Sequence, residues 1–124
     1  MKFYKCAKCG KIVGMVKNSA CPTMCCGEPM EEMIANTTDA ATEKHVPVVQ
    51  VEGNAVTVCV GEVEHPMMEE HFIQWIALET TEGAQRKELK PGEKPMRSFA
   101  LAEGEKVIAA YEYCNLHGLW KKEV

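Results

Sequence analysis

Seven cysteines and four histidines are the residues of this 124-residue chain best suited to chemistry, and their spacing sorts most of them into two groups. Cys6-Ala7-Lys8-Cys9 is a C-x-x-C knuckle, in which two thiolates and the amides that follow converge on one ion. Cys25-Cys26 supplies a second pair, with Cys21 upstream. Four thiolates around a tetrahedral ion are the arrangement of structural zinc and of mononuclear four-thiolate iron. The histidines lie further along, as His45 in Glu43-Lys44-His45-Val46-Pro47, His65 in His65-Pro66-Met67, His71 in Glu70-His71-Phe72-Ile73, and His117 in Cys114-Asn115-Leu116-His117. A single histidine is ordinarily a surface or core residue; four at strand ends and loops, beside a Cys-x-x-His pair, point to a shared site. Imidazole with one thiolate suits iron or copper better than magnesium or calcium.

These residues must be positioned by two kinds of framework. The segment up to about residue 34 holds five of the seven cysteines but too few large apolar groups for a core of its own, so it needs a metal staple. Residues 36–42 are small and polar and read as a linker or short turn. Beyond His45 the pattern is short β-type runs separated by turn residues. Val46 to Val51 and Ala55 to Val60 flank Glu52-Gly53-Asn54, a hairpin signature. Phe72 to Glu79 is a further strand, and Lys90-Pro91-Gly92-Glu93 is a turn. Arg97 to Ala102 and Lys106 to Tyr113 are expected to pair across Glu103-Gly104-Glu105. Helix signal is thin, apart from a turn near Met67 to Glu70. About seven strands at this spacing suggest an immunoglobulin-like antiparallel β-sandwich, giving a domain division of 1–36 and 37–124.

Composition narrows the classes further. Residues 1–36 carry five Lys and three Glu, a charge of +2, and residues 37–124 carry nine Lys/Arg and fifteen Asp/Glu, a charge of −6. This lacks the basic stripe of a nucleic-acid footprint. No stretch approaches the roughly 18 apolar residues of a membrane span, and the N-terminal residues lack the apolar region of a signal peptide. A cytoplasmic location is expected, where cysteines serve as ligands more readily than as disulfides.

A sandwich ending in Cys-x-x-His also fits a mononuclear copper site, but that design needs only two histidines and an axial Met, and no Met follows His117. The combination Glu43-Lys44-His45-Val46-Pro47, His65-Pro66-Met67, Glu70-His71-x-Ile73-x-Trp75-Ile76 and Cys114-Asn115-x-His117-Gly118-x-Trp120 instead resembles the desulfoferrodoxin family of two-iron superoxide reductases. The N-terminal Cys6-x-x-Cys9 and adjacent Cys25-Cys26-Gly27 are similar to desulforedoxin. Ordinary zinc ribbons space their second pair, as a ligand set drawing on Cys21 would.

The resemblance covers nearly the whole chain. It implies two irons, one on Cys6, Cys9, Cys25 and Cys26, and a catalytic one with His45, His65, His71 and His117 as equatorial ligands and Cys114 as axial thiolate. By the same resemblance Lys44 steers superoxide and assists proton delivery, and Glu43 ligates the ferric form. The implied activity is one-electron reduction of superoxide to hydrogen peroxide, with re-reduction by a donor such as rubredoxin, in a homodimer. An electron-transfer protein without turnover is the alternative. Whether the four-cysteine iron relays electrons or is structural stays open, and Cys21 and Cys59 fall outside the motifs.

Overall fold

A segment poor in large side chains can still form local hairpins when its turns are pinned. The computed structural model describes residues 1–124 and resolves them into two compact units, Met1–Ile34 and Ala35–Val124. In the first, β1 (Lys2–Lys5) pairs antiparallel with β2 (Ile12–Met15) and with β5 (Glu31–Glu32), while β3 (Met24–Cys25) and β4 (Glu28–Pro29) make a separate two-residue hairpin. Its buried apolar residues are Phe3, Cys6 and Met30. So small a core leaves the unit dependent on a staple.

The division falls two residues before the one expected at Asn36. Asn36 adopts φ 63° and exchanges hydrogen bonds with the last strand: its amide N–H donates to Leu119 O and Nδ2 to Lys121 O, while Oδ1 accepts from the Lys121 N–H. This residue therefore belongs to the second unit.

That unit contains one short helix, α1 (Thr42–His45), and seven strands: β6 (Pro47–Glu52), β7 (Ala55–Val60), β8 (Ile73–Thr80), β9 (Gly83–Glu88), β10 (Met96–Ala100), β11 (Val107–Cys114) and β12 (Gly118–Glu123). They form a three-stranded sheet, β10-β7-β6, and a four-stranded sheet, β12-β11-β8-β9, the immunoglobulin-like sandwich expected from the strand spacing. The β6–β7 hairpin is present with Gly53 at φ 60°. Val56, Val58 and Val60 of β7 meet Ile76 and Leu78 of β8 and Ala110 and Cys114 of β11 in the core. Alternation along each strand accounts for this, since every second residue faces inward.

One expected pairing is absent. Residues 97–102 and 106–113 do not form a hairpin: β10 pairs with β7 in one sheet, and β11 pairs with β8 and β12 in the other. The Glu103-Gly104-Glu105 turn is a crossover between layers. β9 has no apolar alternation and was invisible as a strand; it forms by pairing with β8. No helix is long and apolar enough to cross a membrane.

Glu112 breaks the inward pattern of β11. It shares the core-facing side with Ala110 and Cys114, is fully buried, and neither carboxyl oxygen has a hydrogen-bond partner. Burial holds its carboxyl well above the usual carboxylate range, so it is a neutral acid. The unfolded chain ionises this group near about pH 4.3, so native stability is lost as pH rises from there towards the folded value. Glu112→Gln removes the titration at nearly constant size. Its Tm relative to the parent chain should rise between pH 5 and pH 8 by calorimetry; a constant difference would contradict a protonated Glu112.

Candidate metal centres

The ends of five strands define the larger site. Pro47 pairs with Val60, Ile73 with Cys114, and Cys114 with Gly118, so the start of β6, the end of β7, the start of β8, the end of β11 and the start of β12 share one end of the sandwich. His45 closes α1 just before β6. His65 lies in the loop after β7, His71 just before β8, Cys114 ends β11, and His117 sits in the turn to β12. The register between β8 and β11 shifts between Tyr113 and Cys114, leaving Gln74 as a bulge at the point where Cys114 turns towards the core.

The four imidazoles form a closed ring of neighbours. Centroids are 4.6 Å apart for His45–His65, 4.7 Å for His65–His71, 5.0 Å for His71–His117 and 4.8 Å for His45–His117, each pair edge to face. His45 Nδ1 donates to Ala41 O at 2.8 Å and His65 Nδ1 to Pro66 O at 2.7 Å. Because a carbonyl can only accept, both protons are on Nδ1 and both Nε2 atoms present lone pairs. Yet His65 Nε2 and His45 Nε2 are 3.2 Å apart, and His117 Nδ1 is 3.0 Å from His45 Nε2. His71 Nε2 is buried with no hydrogen-bond partner.

Two facing lone pairs, with further ring nitrogens beside them, favour a cation between them. An ion with imidazole bonds of about 2.1 Å sets neighbouring nitrogens about 3.0 Å apart at right angles and about 3.4 Å apart at tetrahedral angles. The 3.0 Å pair matches the right-angled value, the 3.2 Å pair lies between the two, and the closed ring of four favours a square. Cys114 Sγ, fully buried, adds a fifth donor 3.9 Å from His117 Nδ1, and all five ligand atoms lie within 4.8 Å of one another. Four imidazoles and a thiolate are a donor set that suits iron.

Desolvation favours the neutral form of His45, His65 and His71. Burial lowers His45 and His71 and takes His65 down to about 4, with the other rings adding repulsion; the Lys44 ammonium also depresses His45 and His71, which places its charge within electrostatic reach. Burial likewise raises the Cys114 thiol, opposed by the backbone N–H groups of Leu116 and His117. Glu43 and Lys44 are themselves exposed on α1.

Two supporting residues stand in the Cys114–Trp120 motif but had no role assigned from sequence. Trp120 stacks on His45 with centroids 4.9 Å apart and donates from Nε1 to His117 O at 3.0 Å, holding two of the rings at once. Asn115 brackets His71: its Oδ1 accepts from the Phe72 N–H at 2.9 Å and its Nδ2 donates to Glu70 O at 3.0 Å. Its place between Cys114 and His117 was the available signal, but the partner loop could not be known.

In the N-terminal unit the sulfurs of Cys6, Cys9, Cys25 and Cys26 also lie within 4.8 Å of one another, and Cys21 stands outside the group, exposed. Cys9 Sγ and Cys25 Sγ are 3.6 Å apart, unbonded, where a tetrahedral ion with sulfur bonds of about 2.3 Å sets its ligands about 3.8 Å apart. Cys26 takes φ 52° and Gly27 φ 75°, the left-handed turn that lets adjacent cysteines face one point. The Cys9 N–H stabilises the Cys6 thiolate and lowers it to about 6, whereas the same thiolate pushes Cys25 up to about 12. Four thiolates cannot coexist here without a cation to displace the remaining protons.

The desulfoferrodoxin family model matches residues 37–123. The chain belongs to the desulfoferrodoxin family. A desulfoferrodoxin from Syntrophotalea carbinolica is 48% identical over 99% of this chain and 96% of its own length. The crystal structure of the superoxide reductase from Treponema pallidum superposes with a TM-score of 0.82 at 40% identity, covering 98% of each chain. A one-iron superoxide reductase from Giardia intestinalis, 38% identical, matches 66% of this chain and 97% of its own, with a TM-score of 0.58. The four-histidine ring with Cys114 is thus found in a desulfoferrodoxin fold along its full length.

Acid should oppose the ring. His65 is about 6.5 when unfolded and about 4 when folded, so the unfolded metal-free chain binds a proton that the native one resists. Metal-free protein should lose on the order of 3 kcal/mol as pH falls from about 6.5 to about 4, read by denaturant titration; flat stability would contradict a buried neutral His65. Asn115→Ala should weaken iron retention against a chelator by about 10- to 100-fold. Unchanged retention would show that Asn115 does not hold His71.

Proposed function

We propose that this protein is a superoxide reductase carrying two irons, one held by Cys6, Cys9, Cys25 and Cys26 and one by His45, His65, His71, His117 and Cys114. The observation that carries the reading is the closed ring of four imidazoles, two of them with Nε2 lone pairs turned inward, beside one buried cysteine sulfur. Ferrous iron bound there supplies the single electron that superoxide requires.

The protein's own groups do the rest. The Cys114 thiolate would help hold the iron and, as a strong electron donor, would favour outward electron transfer and peroxide release. Neutral imidazoles keep the site's charge low, so that it remains attractive to an anion despite the acidic domain. Lys44 adds an exposed ammonium within electrostatic reach of His45 and His71; we assign it the capture of superoxide and help, from Nζ, in delivering the protons that make peroxide. Glu43, one residue away, is the carboxylate we assign to holding the iron, were it bound, once it has been oxidised. The full reaction takes one superoxide, one electron and two protons to one hydrogen peroxide. The electron is replaced by a rubredoxin-like donor, in a cytoplasmic homodimer that serves oxidative stress defence. Self-association would extend the small core of the N-terminal unit.

Stoichiometry and metal content test this together. Iron-loaded protein should hold two irons per chain, consume one electron from reduced rubredoxin per superoxide, and release peroxide without oxygen. Oxygen evolution without donor consumption would make it a dismutase. Donor oxidation that ignores superoxide would leave only an electron carrier.

A further inference from the structure

Glu43 and Lys44 sit on a helix of four residues with no side-chain cap, too short to hold its own place. Their position is instead set by the turn that follows β7. Gly61 adopts φ +81°, and a Cβ built on it would stand 2.5 Å from Glu43 O, 2.6 Å from Lys44 C and 2.7 Å from Lys44 Cα. All three atoms are backbone, so no rotamer change relieves the overlap. Gly10, Gly27, Gly53, Gly92 and Gly104 also have positive φ but face open space, and Gly118 meets only the Thr38 hydroxyl at 3.2 Å. Two residues on, the Val63 N–H donates to Glu43 O at 3.0 Å, and the His65 N–H donates back to Val60 O at 3.3 Å. The same turn thus seats the Glu43–Lys44 backbone and delivers His65.

We propose that Gly61 is a positioning residue for Glu43 and Lys44: its missing side chain lets the α1 backbone rest on the turn after β7, which fixes where the Lys44 ammonium stands beside the imidazole ring. The inference rests on the superoxide reductase reading for its consequence in turnover, though not for its geometry.

The test compares iron-loaded, full-length parent protein with Gly61→Ala, Lys44→Ala, their double variant, and Gly53→Ala, which places a Cβ at another left-handed position, φ +60°, in open space. Hydrogen exchange reports the seat. The Val63 amide should be protected in the parent although its side chain is half exposed, about tenfold faster in Gly61→Ala, and unchanged in Gly53→Ala. Stopped-flow reaction with superoxide reports the consequence. Gly61→Ala and Lys44→Ala should each react about tenfold more slowly at low salt and with a flatter salt dependence, and the double variant no more slowly than either. An unprotected Val63 amide in the parent would overturn the proposal, even if Gly61→Ala fails to fold. So would unchanged exchange in Gly61→Ala, or a Gly61→Ala protein with altered exchange but full rate and salt slope where Lys44→Ala has lost both. Loss of neither rate nor slope in Lys44→Ala, with the exchange result as expected, supports the seat and removes Lys44 from the function assigned above.

Discussion

The unprotonated Nε2 atoms of His45 and His65 stand 3.2 Å apart with no proton between them, and repel one another unless a cation is shared; His117 Nδ1 faces the same His45 Nε2 at 3.0 Å. The sandwich end is organised around that conflict. Carbonyls of Ala41 and Pro66 fix two tautomers, Trp120 supports two rings, and Asn115 brackets a third. Each of these contacts makes the crowding more rigid, and so makes a bound ion more favourable relative to proton or water. A metal bound there would be part of the folding free energy of that end of the domain.

The N-terminal unit meets a related constraint with softer donors. Its three-stranded sheet and two-residue hairpin bury little, and the strained turn at Cys26-Gly27 brings adjacent sulfurs to one point. Here a cation relieves competition among thiols for protons, the Cys6 thiolate being the first to form. The two sites differ in kind. Four sulfurs match the donor set of a closed tetrahedral ion, whereas the second group offers four ring nitrogens and one sulfur.

Much of this was legible in the residues, and the parts that were not have physical reasons. The β6–β7 hairpin announced itself through β-branched strands around Gly53, and the ligand residues through their motifs. The pairing of residues 97–102 with 106–113 was misread because a tight Gly turn marks a hairpin and a layer crossover alike; the choice depends on which sheet buries Phe99 and Ala110. Gly83–Glu88 carries no alternation because only its pairing with β8 makes it a strand. Asn36 was grouped with the wrong unit because its bonds to Leu119 and Lys121 span most of the chain. Within the site, sequence named the histidines but not which nitrogen each presents: His117 turns Nδ1 inward while His45 and His65 turn Nε2. Nor could it show that Gly61 lies against α1, a contact made by backbone alone.

The central claim is that one iron sits within the imidazole ring, and anomalous diffraction at the iron edge tests it most directly. Reduced, iron-loaded crystals should show one anomalous peak bonded at about 2.1 Å to His45 Nε2, His65 Nε2, His71 Nε2 and His117 Nδ1, with Cys114 Sγ on one face. A peak bound by only some of these nitrogens in a tetrahedral set, or none inside the ring, would contradict it.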